Sequence, residues 1–214
     1  MTFGFSPPLS TDPVSRLGRI LEPAEWASAG IPLLRNPREM VTGLHARHLP
    51  APSTAVVAVL GPEEGLVASA SFTRQAGPPD GWESRKAVLA QLRRVVPHDL
   101  RRRAPVRTAV LLYCRDGDGG WTEEDGAWMW GLRDACTLHG LRCGAYITLT
   151  RDGWRVLGEG RGGRRPHSGS ARAWPGVSAA SVRETAVEEA PAAPAATARR
   201  YGAAPEALRR TAAR

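Results

Sequence analysis

The sequence predicts an α/β domain with a mixed sheet of about five strands and flanking helices. Two observations between residues 53 and 158 indicate this class. Apolar runs of strand length alternate with longer segments whose apolar residues recur at helical spacing. Turns rich in Gly, Pro and Asp separate them. The resulting order, ββαβαββ, places helices between strands, which is typical of a layered α/β fold.

The first two strands form a predicted β-hairpin. Residues 53–61 (STAVVAVLG) are a nearly continuous apolar run, as expected for a buried strand. The turn at 62–65 (PEEG) leads into a second strand at 66–72. Before the hairpin, Asn36 as N-cap and Pro37 at the first helical position predict a helix that ends near His48.

The second half of the pattern begins with an amphipathic helix over 83–96. A strand, a helix and two strands joined by a tight turn follow at residues 108–114, 122–139, 143–150 and 154–157. Gly140 directly after the second helix is the residue type that commonly ends a helix in the left-handed conformation.

Composition divides the chain into three parts. Residues 1–29 are polar and interrupted by Pro, which predicts an irregular arm, and residues 30–158 hold the α/β domain. Residues 159–214 are rich in Gly, Arg, Ala and Pro, which predicts a disordered basic tail. Three cysteines are an odd number, which argues against a framework of disulfides and favours the reducing cytoplasm. No apolar run is long enough to span a membrane, so we expect no membrane partner.

The charge leaves two interpretations open. Of the net charge of +8, residues 160–214 carry +6, from ten Arg and four Glu. Basic chains tend to bind phosphate, so a helix, connector and tail rich in Arg are candidates for nucleic-acid contact. These candidates are Arg93, Arg94, Arg101, Arg102, Arg103, Arg164 and Arg165. However, Lys86 is the one lysine among 28 arginines, and this skew also indicates the codon usage of a G+C-rich genome, with Arg as the ordinary soluble cation.

The loop after the third strand is the predicted binding surface, because ligands usually meet the carboxyl ends of strands in α/β folds. The candidate residues are Arg115, Asp116, Asp118, Trp121, Asp125 and Trp130. One interpretation is a cation site for a metal-dependent hydrolase at Asp116, Asp118 and Asp125. The other is a flexible turn followed by a capping box made by Thr122 and Asp125.

Residues 53–158 resemble the JAB/MPN metalloprotease-like family, closest to its RadC branch. In that family a His-x-His-Pro segment, then a Ser and an Asp on the next helix, follow the strand, and the two His and the Asp hold zinc. Asp125 stands at the Asp position and Thr122 at the Ser position if one residue is deleted, whereas Tyr113 and Arg115 replace the histidines. The resemblance therefore implies a metal-free, non-hydrolytic member that acts as a scaffold or partner-binding module. The same elements are also similar to an actinobacterial domain of unknown function.

Other motifs point to no cofactor. Cys114, Cys136, His139 and Cys143 have the residue types of a zinc site, but they lack paired Cys knuckles and also suit small core positions. No phosphate loop, dinucleotide fingerprint or nucleophile elbow occurs. We therefore expect a non-catalytic binding or regulatory module with a protein partner. The alternatives are a nucleic-acid-associated protein and the acidic-loop hydrolase.

Overall fold

The computed structural model describes residues 19–98 and 104–167, which form a mixed sheet covered by helices on both faces. The predicted fold class is confirmed. The helices are α1 (Pro23–Ser28), α2 (Pro37–His48), α3 (Gly81–Val95) and α4 (Glu123–His139). The strands are β1 (Thr54–Leu60), β2 (Leu66–Thr73), β3 (Thr108–Cys114), β4 (Arg142–Leu149), β5 (Trp154–Val156) and β6 (Gly162–Gly163).

The described sheet has six strands in the order β2-β1-β3-β4-β5-β6. Only β3 and β4 are parallel, and α4 is the crossover between them. All other neighbouring strands are antiparallel. This arrangement brings the carboxyl ends of β3 and β4 to one edge and their amino ends to the opposite edge.

The two faces of β1 explain its continuous apolar run. Val57 and Val59 pack into the core below α3 and α4, and Val56 and Ala58 pack into the core below α2. Because both faces of the sheet are covered, the polar and apolar alternation of a half-exposed strand is absent there.

Helix α4 is held at both ends by local chemistry. Its N-terminus is a capping box between Thr122 and Asp125, as the sequence predicts, and Gly140 ends it with φ = 78°. At its middle, a Cβ at Gly131 would lie 2.7 Å from the Arg85 backbone nitrogen and 2.8 Å from the Ser84 Cβ. The absence of a side chain at Gly131 therefore permits the close approach of α3.

The structure differs from the sequence prediction at both domain boundaries. The predicted irregular arm, 1–29, contains α1, and its Trp26 is buried in the core. Residues 1–18 of that arm lie outside the described residues. Helix α1 has six residues, fewer than two helical turns, and one large apolar residue, so its sequence is too short to show a helical period of apolar residues.

The predicted tail, 159–214, begins with a sixth strand in place of disorder. Gly163 in β6 pairs with Trp154 in β5, and a Cβ on Gly163 would lie 2.9 Å from the indole nitrogen. The rest of the tail, 168–214, lies outside the described residues. None of the described helices has the length and apolarity that crossing a membrane requires.

Candidate functional site

An ion pair between Arg115 and Asp125 lies at the centre of the predicted site. Arg115 follows the last residue of β3, and Asp125 lies in the first turn of α4. Arg115 Nη2 is 2.9 Å from Asp125 Oδ2, and Arg115 Nε is 3.2 Å from Oδ1. Asp125 is fully buried and Arg115 is 7% exposed. The pairing is bidentate, the strongest geometry for these two groups.

The Asp125 carboxylate has no free oxygen. Besides the guanidinium, Oδ1 accepts the Tyr146 hydroxyl at 2.8 Å, from the neighbouring strand β4. Oδ2 accepts the Thr122 backbone N–H at 2.9 Å and the Thr122 hydroxyl at 2.8 Å. Five donated hydrogen bonds compensate the buried charge.

Arg115 also organises the loop that follows β3. Its Nη1 donates to the carbonyl oxygens of Asp116, at 3.1 Å, and Asp118, at 2.9 Å, and its Nη2 donates to that of Gly120. Burial disfavours the charged guanidinium, but the hydrogen bond and charge of Asp125 outweigh this, so the pKa of Arg115 lies above its usual value. Arg115 therefore stays positively charged, and the loop after β3 surrounds its guanidinium with carbonyl oxygens.

A second polar pair adjoins this network. The Tyr113 hydroxyl donates to Glu124 Oε1 at 2.7 Å, and Arg74 from the end of β2 forms an ion pair with the same carboxylate. Burial and the bond to Glu124 raise the pKa of Tyr113. Burial and the charge of Asp125 raise the pKa of Tyr146 well above its usual range. Both phenols therefore remain protonated hydrogen-bond donors at neutral pH.

The residues present do not fit a zinc ion of the kind that the JAB/MPN family motif holds. Tyr113 and Arg115, at the two histidine positions, both act as donors toward carboxylates. Arg115 cannot offer a lone pair to a metal, and the Asp125 oxygens are occupied by donors.

The candidate binding residues are divided between interior and surface. Arg115 and Asp125 are buried and form an ion pair with each other. These two side chains are therefore not available to a partner. Trp121 and Trp130 are half-buried, and Trp130 packs against Trp82 with ring centroids 4.9 Å apart. The exposed candidates are Asp116 and Asp118.

The acidic candidates do not form a common cation site. Asp118 Oδ1 accepts the Gly120 backbone N–H at 2.8 Å, and Asp116 lies 3.6 Å from an exposed Arg151 nitrogen. Both are on the outside of the loop, whereas Asp125 faces Arg115 on its inside. Charge alone in the sequence does not reveal this separation, because the inward and outward positions depend on the path of the loop.

The candidate nucleic-acid contacts lie at opposite ends of the sheet. Arg93 and Arg94 occupy the last turn of α3, whereas Arg165 donates to the Thr150 carbonyl at 2.9 Å, beyond the end of β4, and lies 3.9 Å from the Cys114 sulfur. The seven residues of β3 span about 20 Å. Arg164 precedes Arg165, and residues 101–103 lie outside the described residues. The described arginines therefore do not form one continuous surface.

The cysteine and histidine group is also divided. Cys114 ends β3 on the face covered by α2, whereas Cys143 is the second residue of β4 at the opposite edge, beside Cys136. His139 is buried, and among the described residues neither of its ring nitrogens lies within hydrogen-bond geometry of a partner. In the described part of the chain, no three side chains of His, Cys, Asp or Glu are arranged to hold a metal ion.

Sequence reasoning missed two contributors to the site. Tyr146 lies within a buried strand, where its hydroxyl has no sequence signature, and Arg74 precedes a loop. Comparison with known proteins adds no identification: neither the scan against protein-family models nor the searches of curated proteins and of solved structures found a match for this chain. The geometry around Arg115 is therefore the basis for a functional proposal.

Proposed function

We propose that this chain is a non-catalytic binding or regulatory module of the cytoplasm, built on a degenerate JAB/MPN-like scaffold. The observation that carries the proposal is the buried ion pair between Arg115 and Asp125. At the position where the zinc ion lies in the JAB/MPN family motif, the guanidinium supplies the positive charge that Asp125 requires.

A guanidinium in place of zinc removes the catalytic chemistry of the metal ion and keeps the ordered loop around the site. A zinc ion would activate a water molecule, but a guanidinium is neither a Lewis acid nor a proton acceptor at neutral pH. Its remaining N–H groups bind the carbonyls of Asp116, Asp118 and Gly120 instead. A loop held in one conformation loses less entropy when it binds a partner, which favours a binding role.

The exposed charges of the loop indicate the chemistry of the partner. Asp116, Asp118 and Glu123 are exposed on the loop and the start of α4. The pair between Asp116 and Arg151 is open to solvent, so it neutralises little of this charge. We expect a protein partner that presents Lys or Arg side chains to this surface.

A pull-down from native extract tests the proposal. The full chain is compared with the double variant Asp116→Asn, Asp118→Asn, in which the amide introduced at position 118 retains an acceptor for the Gly120 N–H. The double variant Glu39→Gln, Glu63→Gln removes the same charge from exposed positions elsewhere. Each pull-down is repeated with nuclease.

We expect a nuclease-resistant protein that the wild type and the control variant retain and the loop variant loses. Equal recovery with both variants would place binding elsewhere and contradict the proposal. Recovery that disappears with nuclease, with affinity falling steeply as salt rises, would instead support the nucleic-acid alternative.

A further inference from the structure

A second site lies at the edge of the sheet opposite the Arg115 loop. A cleft of about 470 Å³ opens between residues 29–32, the last turns of α4 and the start of β4. Its lining includes two thiols, from Cys136 and Cys143, and two guanidinium groups, from Arg133 and Arg142. The proposed binding function uses none of these residues.

The end of α4 brings the two thiols together. The Leu141 backbone N–H donates to the Cys136 carbonyl at 2.9 Å, so the chain folds back after Gly140 and starts β4 beside the helix. The Cys136 and Cys143 side chains both line the cleft, and the Cys143 thiol is close enough to raise the pKa of the Cys136 thiol. Cys136 is buried, whereas Cys143 is half-buried and lies nearer to solvent. The pair therefore has one accessible and one sheltered sulfur.

The arginines give the cleft a positive potential. Arg133 and Arg142 are both exposed, and neither pairs with a carboxylate among the residues that the structure describes. The nearest carboxylate in sequence to Arg133, that of Asp134, pairs with Arg85 on α3. Two exposed cations at a cleft raise the local concentration of anions.

We infer that Cys136 and Cys143 form a redox-active dithiol whose oxidant is an anionic low-molecular-weight disulfide bound in this cleft. The Cys143 thiolate attacks one sulfur of the reagent, forms a mixed disulfide and releases the first thiolate. The Cys136 sulfur, after loss of its proton to solvent, then attacks Cys143 and releases the second. The protein loses two hydrogen atoms and forms one S–S bond, while one disulfide is reduced to two thiols.

The order of attack follows from the surroundings of each sulfur. The neighbouring Cys143 thiol and burial raise the pKa of the Cys136 thiol, which therefore keeps its proton at neutral pH. Attack on an external reagent requires a thiolate with access to it. Cys143 meets the access requirement, and Cys136 can reach only the neighbouring sulfur.

Dithiobis-nitrobenzoate, a dianionic aromatic disulfide, is the probe, and cystamine, a dicationic disulfide, is the comparison. Native full-length protein is treated with each, and released thiol and intact mass are measured. We expect two thiols released per protein, no retained adduct and a mass lower by two hydrogens. The Cys136→Ser variant should release one thiol and retain the adduct on Cys143. Cys114, which is buried on the other face, is replaced by Ser in every protein tested, and the full-length Cys114→Ser protein serves as the wild type in this experiment.

The arginines are tested by rate. We expect the Arg133→Ala, Arg142→Ala variant to react about tenfold more slowly with the anionic probe at low salt, whereas the exposed Arg38→Ala control keeps the wild-type rate. A stable adduct on the wild type, or no reaction of the native protein, would overturn the dithiol. If the Arg133→Ala, Arg142→Ala variant slowed the reaction with cystamine by the same factor as the reaction with the anionic probe, the anion preference would be overturned, since this ratio cancels the different intrinsic reactivity of the two disulfides. Far-ultraviolet circular dichroism establishes that each variant is folded.

Discussion

Arg115 is the residue on which the architecture of the site depends most. Its five N–H groups are all used, two toward Asp125 and the others toward loop carbonyls. Removing one member of a buried ion pair leaves the other charge uncompensated, which costs far more than the pair itself contributes. The loop and the carboxylate thus share one organising group.

We therefore predict that Arg115→Met lowers the free energy of unfolding by about 3–5 kcal/mol, measured by urea denaturation. Adding Asp125→Leu to this variant removes the unpaired charge and should recover part of the loss, so the two changes are not additive. Lys86→Ala, which removes an exposed ion pair with Glu83, is the control and should change stability by less than about 1 kcal/mol. A similarly small effect of Arg115→Met would contradict the role given to the pair.

The sequence predicts where this site lies along the chain but not which of its charged side chains face the interior. The capping box between Thr122 and Asp125 was predictable, because its residue types and spacing act locally. That Asp125 also accepts hydrogen bonds from Arg115 and Tyr146 was not, since those partners are ten and twenty-one residues away. A charged residue is exposed by default, and only the folded loop reveals that two opposite charges are buried together.

At the scale of elements, the packing of α3 on α4 depends on a missing side chain. Ala has a higher helix propensity than Gly by about 1 kcal/mol. However, a methyl group at Gly131 would contact the Arg85 backbone nitrogen at 2.7 Å, and backbone cannot move aside as a flexible side chain can. The steric cost and the propensity gain therefore have opposite signs.

We predict that the steric cost is larger and that Gly131→Ala lowers the free energy of unfolding by about 1–3 kcal/mol. Thermal or urea unfolding monitored by circular dichroism measures it. Leu138→Ala, on an exposed position of the same helix, is the matched control and should stay within about 0.5 kcal/mol of wild type. A stabilised Gly131→Ala variant would show that α3 moves away at little cost.

Elements with their own periodic pattern were predictable, and elements defined by distant partners were not. The strand at 108–114 has the predicted bounds, because a nearly continuous apolar run suits a strand buried on both faces. Helix α1 depends on Trp26 reaching the core, and β6 is two glycines that pair with β5. Neither contains enough residues for a period to be visible.

At the scale of the whole molecule, the two proposed sites are at opposite edges of the sheet. The acidic loop follows β3, whereas Cys143 and Arg142 lie where β4 begins. Because β3 and β4 are parallel, the length of a strand separates the sites. The loop variant used for partner binding should therefore leave disulfide formation unchanged, which keeps the two proposals independently testable.

The stability of the whole molecule should depend on pH through its buried and half-buried histidines. Burial, followed by the charge of Arg47, lowers the pKa of His48 from 6.5 to about 4. Burial also lowers the pKa of His45 and of His139. The unfolded chain binds protons near pH 6.5 and the folded protein does not, so the unfolded state gains protons first as pH falls. Stability is therefore fully present above pH 6.5 and is lost as pH falls toward 4.

The loss amounts to at most about 1.4 kcal/mol per pH unit for each histidine, less where solvent reaches the ring. Urea unfolding at pH 7 and pH 5 measures this loss of stability, because both pH values lie above the range in which most carboxylates titrate. His48→Gln removes one titrating group and keeps a polar side chain beside Ser69, whose hydroxyl lies 2.9 Å from His48 Nε2. We expect this variant to have the smaller pH dependence. If the wild type were as stable at pH 5 as at pH 7, or more stable, the prediction would be wrong. The folded protein would then protonate these histidines as readily as the unfolded chain does.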